Sequence, residues 1–299
     1  MKYTFENNAL CFNPPVTLNN QSINDLLNYL KINSKNKNYL ITNHFIFKNN
    51  QPTTINTTIS NQDKIKITIY KPQNTPITNY PYDLDIVYED ELVLIVNKPA
   101  NMLVYTDTKD YQTLSNAVAN YYSLKNLSIN VRPIHRLDYA TCGLVMFSKS
   151  EIFQPLFDQQ LMDKNINRRY YALVNGKFPV NYHLTIDKAI GANRHLSNRY
   201  LINPKGKKAI THISMLSSKN NLSLLDCKLE TGRTHQIRVH LASIKHPIIN
   251  DNFYGTAKEH TKLCLQAYQL SFYHPIQEKK IIVKIPLDKY IKKTMTKYK

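Results

Sequence analysis

Residues 132–144 read Arg132-Pro133-Ile134-His135-Arg136-Leu137-Asp138-Tyr139-Ala140-Thr141-Cys142-Gly143-Leu144. A Thr-Cys-Gly turn here precedes an apolar run at 144–147, which predicts a buried strand. The Arg-Leu-Asp step before the turn places the Asp138 carboxylate beside the Arg136 guanidinium, at the edge of that strand. A carboxylate held there is positioned for chemistry.

Composition indicates a globular protein with one large and one small domain. The chain has 299 residues, 42% of them hydrophobic, which is enough for a packed core. No apolar run approaches the roughly 18 residues that a membrane span needs, and residues 1–6 lack a signal-peptide pattern. The four cysteines are scattered, without a CxxC pair, so we expect no disulfide framework or zinc site and a cytoplasmic location.

The net charge of +18 favours a polyanionic partner such as nucleic acid, because binding phosphates releases condensed counterions. Compositional bias is an alternative, since the chain is rich in Lys, Asn, Ile and Tyr and has no Trp. Arginine and glycine are used more selectively. All eight arginines lie at 132–238 and all six glycines at 143–255, so we expect a functional site with strict geometry in that window.

The chain is predicted to contain a small basic module at 1–70, a polar, proline-punctuated linker at 71–81, and a large domain at 82–299. The module has a capped amphipathic helix at 22–30 and an alternating strand at 64–69. Its basic character, with eight lysines against three acids over residues 1–80, suits an RNA-binding module. A plain packing subdomain is the alternative.

Strands outnumber helices in the large domain. Strands are predicted at 85–90, 91–97, 143–148, 170–175, 209–217, 222–230 and 280–285, and helices at 113–122, 151–162 and near 235–244. Because the two types do not alternate regularly, we predict an α+β fold with a mixed, mostly antiparallel sheet flanked by helices. No GxGxxG, Walker, GxSxG or HExxH motif is present, which argues against dinucleotide, NTP and common hydrolase chemistry.

Three segments together suggest a site. They are 135–144 with Asp138, 168–176 with Arg168 and Tyr170, and 229–241, where a Gly turn precedes a helix rich in Arg, His and Gln. A carboxylate, an aromatic plane and several cations can hold a flipped base and its phosphates. Each residue also has a simpler interpretation. Asp138 can cap a turn, Tyr170 can be an ordinary strand aromatic, and Gln236 and Arg238 can lie at the surface. His235 and His240 are five residues apart, so they do not share a helical face as paired metal ligands.

The combination resembles the RluA-type pseudouridine synthase family. Residues 135–144 resemble its HRLDxxTSGL segment, with Cys142 in place of Ser. Residues 168–172 resemble its KxYxA strand, 232–240 its GRxHQIRVH segment, 246–251 its HPILGD segment, 254–255 its YG pair, and 97–104 its NKPxGxxV strand. The resemblance covers about residues 82–290. Residues 22–70 more faintly resemble the ribosomal-protein-type RNA-binding module that often precedes this domain.

The chain departs from the family pattern at five positions. Asn101 and Asn250 stand where glycine is usual, Tyr105 where histidine is common, and Arg168 replaces lysine. Asn tolerates a positive φ better than most residues, so we expect both turns to be kept. Cys142 is nearly isosteric with Ser and lies beside the carboxylate, so the chemistry should not change.

The resemblance implies isomerisation of uridine to pseudouridine in RNA, with no cofactor and no metal. Asp138 would be the catalytic carboxylate, attacking C1′ or removing the 2′ proton. Arg233 would pair with it, and Tyr170 would stack on the uracil and assist proton removal from C5. Ile237 would line the pocket floor, and Arg136 would contact the RNA backbone or fill the space that the flipped nucleotide leaves. The remaining predicted substrate-binding residues are His135, Arg168, Gln236 and Arg238.

The expected partner is RNA, with structured ribosomal RNA favoured by the N-terminal module and transfer RNA as the alternative. A second alternative is a non-catalytic RNA-binding or ribosome-associated protein on a synthase scaffold. The intact set of Asp138, Tyr170 and Arg233 argues against it. We expect a monomer that does not associate with membranes.

Overall fold

The computed structural model describes residues 2–73, 77–107, 112–257 and 261–297. Its N-terminal part is a five-stranded antiparallel sheet, ordered β1-β2-β7-β4-β5, with a two-stranded pair β3-β6 and two helices. The elements are β1 (Tyr3–Glu6), β2 (Ala9–Phe12), β3 (Gln21–Ser22), α1 (Ile23–Tyr29), α2 (Ser34–Thr42), β4 (Ile46–Lys48), β5 (Gln51–Pro52), β6 (Thr58–Ile59) and β7 (Ile65–Thr68).

Local sequence explains two of these elements, and both were predicted. Helix α1 begins after Ser22, whose side chain accepts a hydrogen bond from the Asp25 backbone while the Asp25 carboxylate accepts one from the Ser22 backbone. Its buried residues Ile23, Leu26 and Leu27 form one apolar stripe. Strand β7 alternates buried isoleucines with half-buried polar residues, as the period-2 pattern predicts.

The remaining chain forms a ten-stranded sheet flanked by helices. Its main path is β13-β16-β17-β12-β18-β11-β9-β8, with β10 on β11, β19 on β18, and a separate hairpin β14-β15. The elements are β8 (Ile86–Glu89), β9 (Val93–Lys98), α3 (Leu114–Leu124), β10 (Arg132–Pro133), β11 (Cys142–Ser148), α4 (Gln154–Met162), β12 (Asn167–Asn175), β13 (His183–Asp187), β14 (Ile190–Ala192), β15 (Tyr200–Ile202), β16 (Ile210–Lys219), β17 (Leu222–Leu229), α5 (Gln236–Ser243), β18 (Leu265–His274), β19 (Lys279–Lys284) and α6 (Lys289–Lys297).

Within the described residues, one pair of neighbouring strands in this sheet is parallel, β11 with β18, and the others are antiparallel. The prediction of an α+β fold with a mixed, mostly antiparallel sheet is therefore confirmed. The parallel contact lies immediately after the Asp138 segment, where Gly143 pairs with Ala267. Gly143 has φ +114°, and a Cβ there would stand 2.2 Å from the Ala267 carbonyl oxygen, so only glycine fits.

The two asparagines expected in glycine-like turns have the predicted conformation. Asn101 has φ 61° and Asn250 has φ 62°, both in the left-handed region. Helix α4 begins at Gln154, three residues later than predicted, with a proline in its first turn. Strand β18 was not predicted. Nine of its ten residues are buried or half-buried, so both faces of the strand are covered, and its polar and apolar residues do not alternate.

The N-terminal part packs directly on the large sheet. The Tyr3 hydroxyl donates to the Glu91 carboxylate (2.9 Å), and the Asn36 side chain donates to the Ile152 carbonyl (2.9 Å). In the predicted linker, residues 71–73 and 77–81 contain no helix or strand, and 74–76 lie outside the described residues. The linker is anchored on α3, because the Asn116 side chain donates to the Thr78 carbonyl (2.8 Å).

None of the helices in the described ranges is long and apolar enough to cross a membrane.

Candidate active site

Asp138 lies in the loop between β10 and β11, at the side of a cavity of about 200 Å³. The loop closes in a turn, with the Thr141 backbone donating to the Asp138 carbonyl (3.1 Å). The buried Lys98 ammonium holds the loop in place by donating hydrogen bonds to the carbonyls of Met102 (2.8 Å) and Tyr139 (3.3 Å). The carboxylate itself is 19% exposed and accepts no hydrogen bond from any described residue.

The three predicted segments meet at this cavity. Asp138 is the one acid among the residues that line it, and four of the eight arginines of the chain are there with it. The lining residues are His135, Arg136, Leu137, Asp138, Thr141, Leu161, Arg168, Tyr170, Leu229, Gly232, Arg233, Thr234, His235, Gln236, Ile237, Arg238 and Leu265. An anionic ligand would therefore meet a strongly positive cleft with a single negative group inside it.

Arg238 is the arginine closest to Asp138. Its Nη1 atom is 3.9 Å from Asp138 Oδ2, whereas its Nε and Nη2 atoms each donate over 2.8 Å to the buried Asp251 carboxylate. Burial opposes the Arg238 charge, but the hydrogen bonds and charge of Asp251 outweigh it and raise the pKa of Arg238. The ring of Phe253 also lies under the guanidinium, 5.0 Å away. Arg238 is thus a fixed, permanently charged neighbour of the carboxylate.

The predicted pairing of Arg233 with Asp138 is corrected by this geometry. Arg233 is exposed, and its Nε donates to the carbonyl of Lys208 (2.9 Å). Arg238 takes the position against Asp138 instead, because it lies within helix α5 and is turned inward by Asp251. Arg233 remains at the mouth of the cleft, where its charge faces solvent.

Tyr170 and Ile237 form apolar walls of the cleft, and both are buried. Tyr170 projects from β12 on the same face as Ala172. Burial raises the pKa of the Tyr170 hydroxyl, against the opposing charge of Arg168, so the phenol is neutral at physiological pH. The two side chains offer a flat ring and an aliphatic surface to a planar ligand.

Arg168 and Arg136 supply charge from two other sides. The Arg168 guanidinium lies over Gly232, where a Cβ would come within 2.8 Å of Nη1, and its buried Nε has no hydrogen-bond partner among the described residues. Arg136 is exposed and stands 5.9 Å from the ring of Tyr105. Both guanidinium groups belong to residues that line the cleft, and their contact with an anionic ligand stays a prediction.

His135 and Gln236 line the cleft but have structural partners. His135 Nε2 accepts a hydrogen bond from the Met146 backbone (3.3 Å), and burial lowers the pKa of His135 to about 3, so the ring is a neutral acceptor. Gln236 is 3% exposed; its amide donates to the Ile210 carbonyl (2.9 Å) and accepts from the Arg233 backbone (3.0 Å). These bonds hold β11 and the start of α5 in place, and the contact of the two residues with substrate stays a prediction.

Three residues at the site were not singled out from the sequence: Asp251, Tyr254 and Lys98. Asp251 orients Arg238, and Tyr254 hydrogen bonds to His235 (2.9 Å). Burial lowers the pKa of Lys98 to about 8. All three lie in segments that resemble motifs of the family. The motifs do not indicate which of their side chains turn inward.

Several features near the site bear on other chemistries. Burial raises the pKa of Cys142 to about 11, so its thiol is protonated at neutral pH and is not an activated nucleophile. Across the described ranges, no group of three or more His, Cys, Asp or Glu side chains has the arrangement of a metal site.

The chain was compared with known families and proteins. The family model for RNA pseudouridylate synthase matches residues 92–243. An uncharacterized RNA pseudouridine synthase of Bacillus subtilis, YhcT, is 36% identical over 236 residues, covering 77% of this chain and 78% of that one. Ribosomal large subunit pseudouridine synthase D of Zymomonas mobilis is 37% identical over 231 residues, covering 72% and 73%.

The solved structure of human RNA pseudouridylate synthase domain containing 1 shares the fold. Its TM-score is 0.58 at 23% identity, covering 70% of this chain and 85% of that one. With the family model matching half of the sequence and relatives above 30% identity over most of it, the chain belongs to the RluA-type family of RNA pseudouridine synthases, isomerases that convert uridine in RNA to pseudouridine.

Proposed function

We propose that the protein converts specific uridines of large-subunit ribosomal RNA to pseudouridine, with Asp138 as its catalytic carboxylate. One observation carries the proposal. Asp138 is the single acid in a cleft lined by four arginines, and its carboxylate accepts no hydrogen bond from the described residues. A partly exposed carboxylate that is held near cations without being bonded by them is free to act on a ligand.

In the proposed reaction the N1–C1′ bond of uridine breaks, the uracil turns while bound, and C5 bonds to C1′. The hydrogen of C5 passes to solvent, and N1 gains a proton. Asp138 attacks C1′ or removes the 2′ proton. Tyr170 stacks on the uracil and assists the removal of the C5 proton, and Ile237 supports the base from below. No cofactor and no metal take part.

Arg238 supports this role of Asp138 through charge. Its guanidinium lies 3.9 Å from Oδ2, and the bonds to Asp251 hold Arg238 in that position. Arg136, Arg168 and Arg233 are proposed to contact phosphates on either side of the flipped nucleotide. Flipping costs a few kcal/mol, least for an unpaired uridine, so the target is expected in a loop.

A basic hairpin, defined as residues 188–208 and including β14 and β15, extends the positive surface beside the cleft. It contains seven Lys, Arg or His residues and no Asp or Glu. It packs on α5 through a small core of Ile190, Ala209 and Val239. Its cationic residues are Lys188, Arg194, His195, Arg199, Lys205, Lys207 and Lys208. This surface supports RNA as the ligand, because it would lie along the phosphates that flank the target.

Ribosomal RNA is proposed over transfer RNA for two reasons. The relatives from Zymomonas mobilis and Buchnera aphidicola are named ribosomal large subunit pseudouridine synthases. Residues 1–70 are also proposed to form an RNA-binding module, joined by 71–81 to a catalytic domain at 82–299. We further propose a monomer that works in the cytoplasm, consistent with four free cysteines.

The test uses three unmodified transcripts with tritium at uridine C5: large-subunit ribosomal RNA, small-subunit ribosomal RNA and transfer RNA. We expect the wild type to release tritium from the large-subunit RNA and Asp138→Asn to release none. Release from transfer RNA alone would contradict the ribosomal substrate. No release from any transcript by a folded, RNA-binding protein would favour the non-catalytic RNA-binding alternative.

A further inference from the structure

His235 connects the Asp138 carboxylate to the basic hairpin. Its Nε2 atom is 3.9 Å from Asp138 Oδ2, and its Nδ1 atom is 2.9 Å from the Tyr254 hydroxyl. The same hydroxyl oxygen accepts a hydrogen bond from the backbone of Tyr200 in β15 (2.9 Å). The side chain of Asp138 is thereby linked through two residues to the element that would meet RNA.

The groups that surround the His235 ring favour one of its two neutral tautomers. Burial lowers the pKa of His235, so the ring is neutral at pH 7. A neutral imidazole with its lone pair on Nε2 would face the carboxylate with like charge density, whereas a proton on Nε2 gives a donor toward Asp138. Nδ1 then accepts the Tyr254 hydroxyl proton, while the Tyr200 N–H donates to the hydroxyl oxygen. With this tautomer, each donor among Tyr200, Tyr254 and His235 faces an acceptor.

The backbone of His235 has an energetically unfavourable conformation. Its φ of 56° and ψ of 19° lie in the left-handed region, which costs a non-glycine residue about 1 kcal/mol. Aromatic rings surround the imidazole and hold it, with centroid distances of 5.6 Å to Tyr200, 5.5 Å to Phe253 and 5.7 Å to Tyr254. A conformation that the surroundings enforce next to a carboxylate is typical of a functional site.

Arg238 and His235 both lie closest to the same carboxylate oxygen of Asp138, Oδ2. Arg238 Nη1 and His235 Nε2 are each 3.9 Å from Oδ2. In both pairs the shortest distance from nitrogen to carboxylate is to Oδ2, so Oδ1 is the oxygen farther from these two basic groups. The distance of 3.9 Å exceeds a hydrogen bond by roughly 1 Å, and contacts of this kind commonly tighten when substrate binds.

We propose that His235, held by Tyr254, is a positioning residue that fixes Oδ2 of Asp138 together with Arg238, so that Oδ1 is the oxygen presented to the substrate. The proposal rests on the catalytic role of Asp138 proposed above. Because Tyr200 belongs to the basic hairpin, hydrogen bonds connect the hairpin through Tyr254 to His235, whose Nε2 lies 3.9 Å from the carboxylate.

Two substitutions of His235 separate positioning from backbone support. His235→Gln can place an N–H near the Nε2 position, whereas His235→Asn reaches only the Nδ1 position but tolerates a positive φ better. The positioning role predicts that the Gln variant keeps the higher kcat, with the Asn variant lower than wild type by about tenfold or more, as for one hydrogen bond to a charged group. KM for RNA should change little in either variant. An Asn variant as active as, or more active than, the Gln variant would overturn the proposal.

The tautomer is measured independently by ¹⁵N NMR of the histidine side chains in the full-length protein. We expect His235 to carry its proton on Nε2, and Tyr254→Phe to shift its Nδ1 resonance and lower kcat. Tyr268→Phe is the matched control, because it removes a hydroxyl that donates to the buried Asp226 (3.0 Å) away from the cleft. A proton on Nδ1 in the wild type would contradict the proposal.

Failure of this inference differs from failure of the proposed function. If Asp138→Asn is inactive while both His235 variants have the kcat of the wild type, His235 does not position the carboxylate, and the role of Asp138 stands. If Asp138→Asn is itself active, the catalytic assignment on which the inference rests is wrong.

Discussion

The two faces of strand β12 present the same residue types in two different states. On one face Arg168 and Tyr170 line the cleft that contains Asp138. On the other face the next residues along the strand, Arg169 and Tyr171, lie beside a second aspartate on β17, Asp226. Because side chains alternate along a strand, one sequence of two arginines and two tyrosines supplies both faces.

Asp226 accepts hydrogen bonds on both of its carboxylate oxygens. It is 3% exposed, receives Nε (3.1 Å) and Nη2 of Arg169, and accepts a hydrogen bond from the Tyr268 hydroxyl (3.0 Å). Tyr268 in turn stacks on Tyr171 with ring centroids 3.7 Å apart. A buried carboxylate bonded in this way is held within the sheet and is not accessible to a substrate.

Asp138 differs in being underbonded. Its side chain is 19% exposed, and its two nearest basic nitrogens are 3.9 Å away. The difference between the two aspartates teaches that an Asp–Arg–Tyr combination does not by itself identify an active site. The free carboxylate next to an open cleft does, and the substitutions below compare the two faces directly.

The largest difference is expected for the two aspartates. Asp138→Asn keeps the shape but removes the reacting charge, so steady-state pseudouridine formation should fall by on the order of 10³-fold or more, with the thermal midpoint unchanged. Asp226→Asn leaves Arg169 without its anion and should cost about 2 kcal/mol of stability while turnover by the folded protein persists. Mass spectrometry of the RNA and thermal unfolding measure the two effects. Equal loss of turnover in both would contradict the distinction.

The tyrosines should differ next. Tyr170→Phe retains the ring that stacks on uracil but removes the hydroxyl proposed to assist proton removal, so turnover should fall by about 10²-fold with RNA affinity nearly unchanged. Tyr171→Phe is the matched control on the opposite face, and it should turn over like the wild type. Steady-state kinetics and filter binding separate the two parameters. A fully active Tyr170→Phe variant would limit Tyr170 to stacking.

The arginines should show a smaller effect of the same kind. Arg238→Lys keeps the charge but cannot make the two-point contact with Asp251 while facing Asp138, so kcat should fall by about tenfold to a hundredfold. Arg169→Lys should lower the thermal midpoint and leave kcat unchanged. If the two variants lose kcat equally, the contact between Arg238 and Asp138 has no special role.

A last prediction concerns stability against acid, where no effect on turnover at neutral pH is expected. The pKa of His135 is about 3 in the folded protein and near 6.5 in the unfolded chain, so the unfolded chain takes up a proton first as the pH falls. The contribution of the neutral ring is complete above pH 6.5 and is lost on the way down to pH 3, at up to about 1.4 kcal/mol per pH unit. In His135→Gln, denaturant unfolding should show a weaker dependence on pH over this interval. An unchanged slope would mean that His135 is not protected from protonation.

Much of this architecture was predictable because the local signals agree with the fold. The alternation in β7, the capped helix α1 and the apolar run of β11 each have their predicted structure. The three motif segments also meet at one cleft, as expected. Strand β18 was missed because it is covered on both faces and therefore lacks a period of two.

The sequence did not indicate which polar side chains turn inward. Arg233 and Arg238 occur in one motif, and the choice between them depends on Asp251, which approaches from a later loop. The resemblance predicts that His135 and Gln236 contact substrate, and the structure shows that both also hydrogen bond to backbone groups from other elements of the fold. Burial of this kind depends on tertiary contacts that no local pattern records.

The chain has few glycines, and asparagine takes the left-handed backbone conformation at many of its turns. Twelve asparagines in the described chain have a positive φ, including Asn101 and Asn250, so asparagine performs many turns that glycine usually makes. Gly143 is retained where asparagine cannot substitute, at φ +114° and against the backbone of Ala267. The glycine that follows the Asp138 segment therefore marks a position with strict backbone geometry.

The most direct measurement is single-turnover tritium release, with enzyme in excess over C5-labelled RNA and saturating by filter binding. Under these conditions neither weak binding nor slow product release affects the result. The free-carboxylate account predicts that wild type and Asp226→Asn release tritium, whereas Asp138→Asn binds the RNA and releases none. Release by bound Asp138→Asn at the wild-type rate would contradict it.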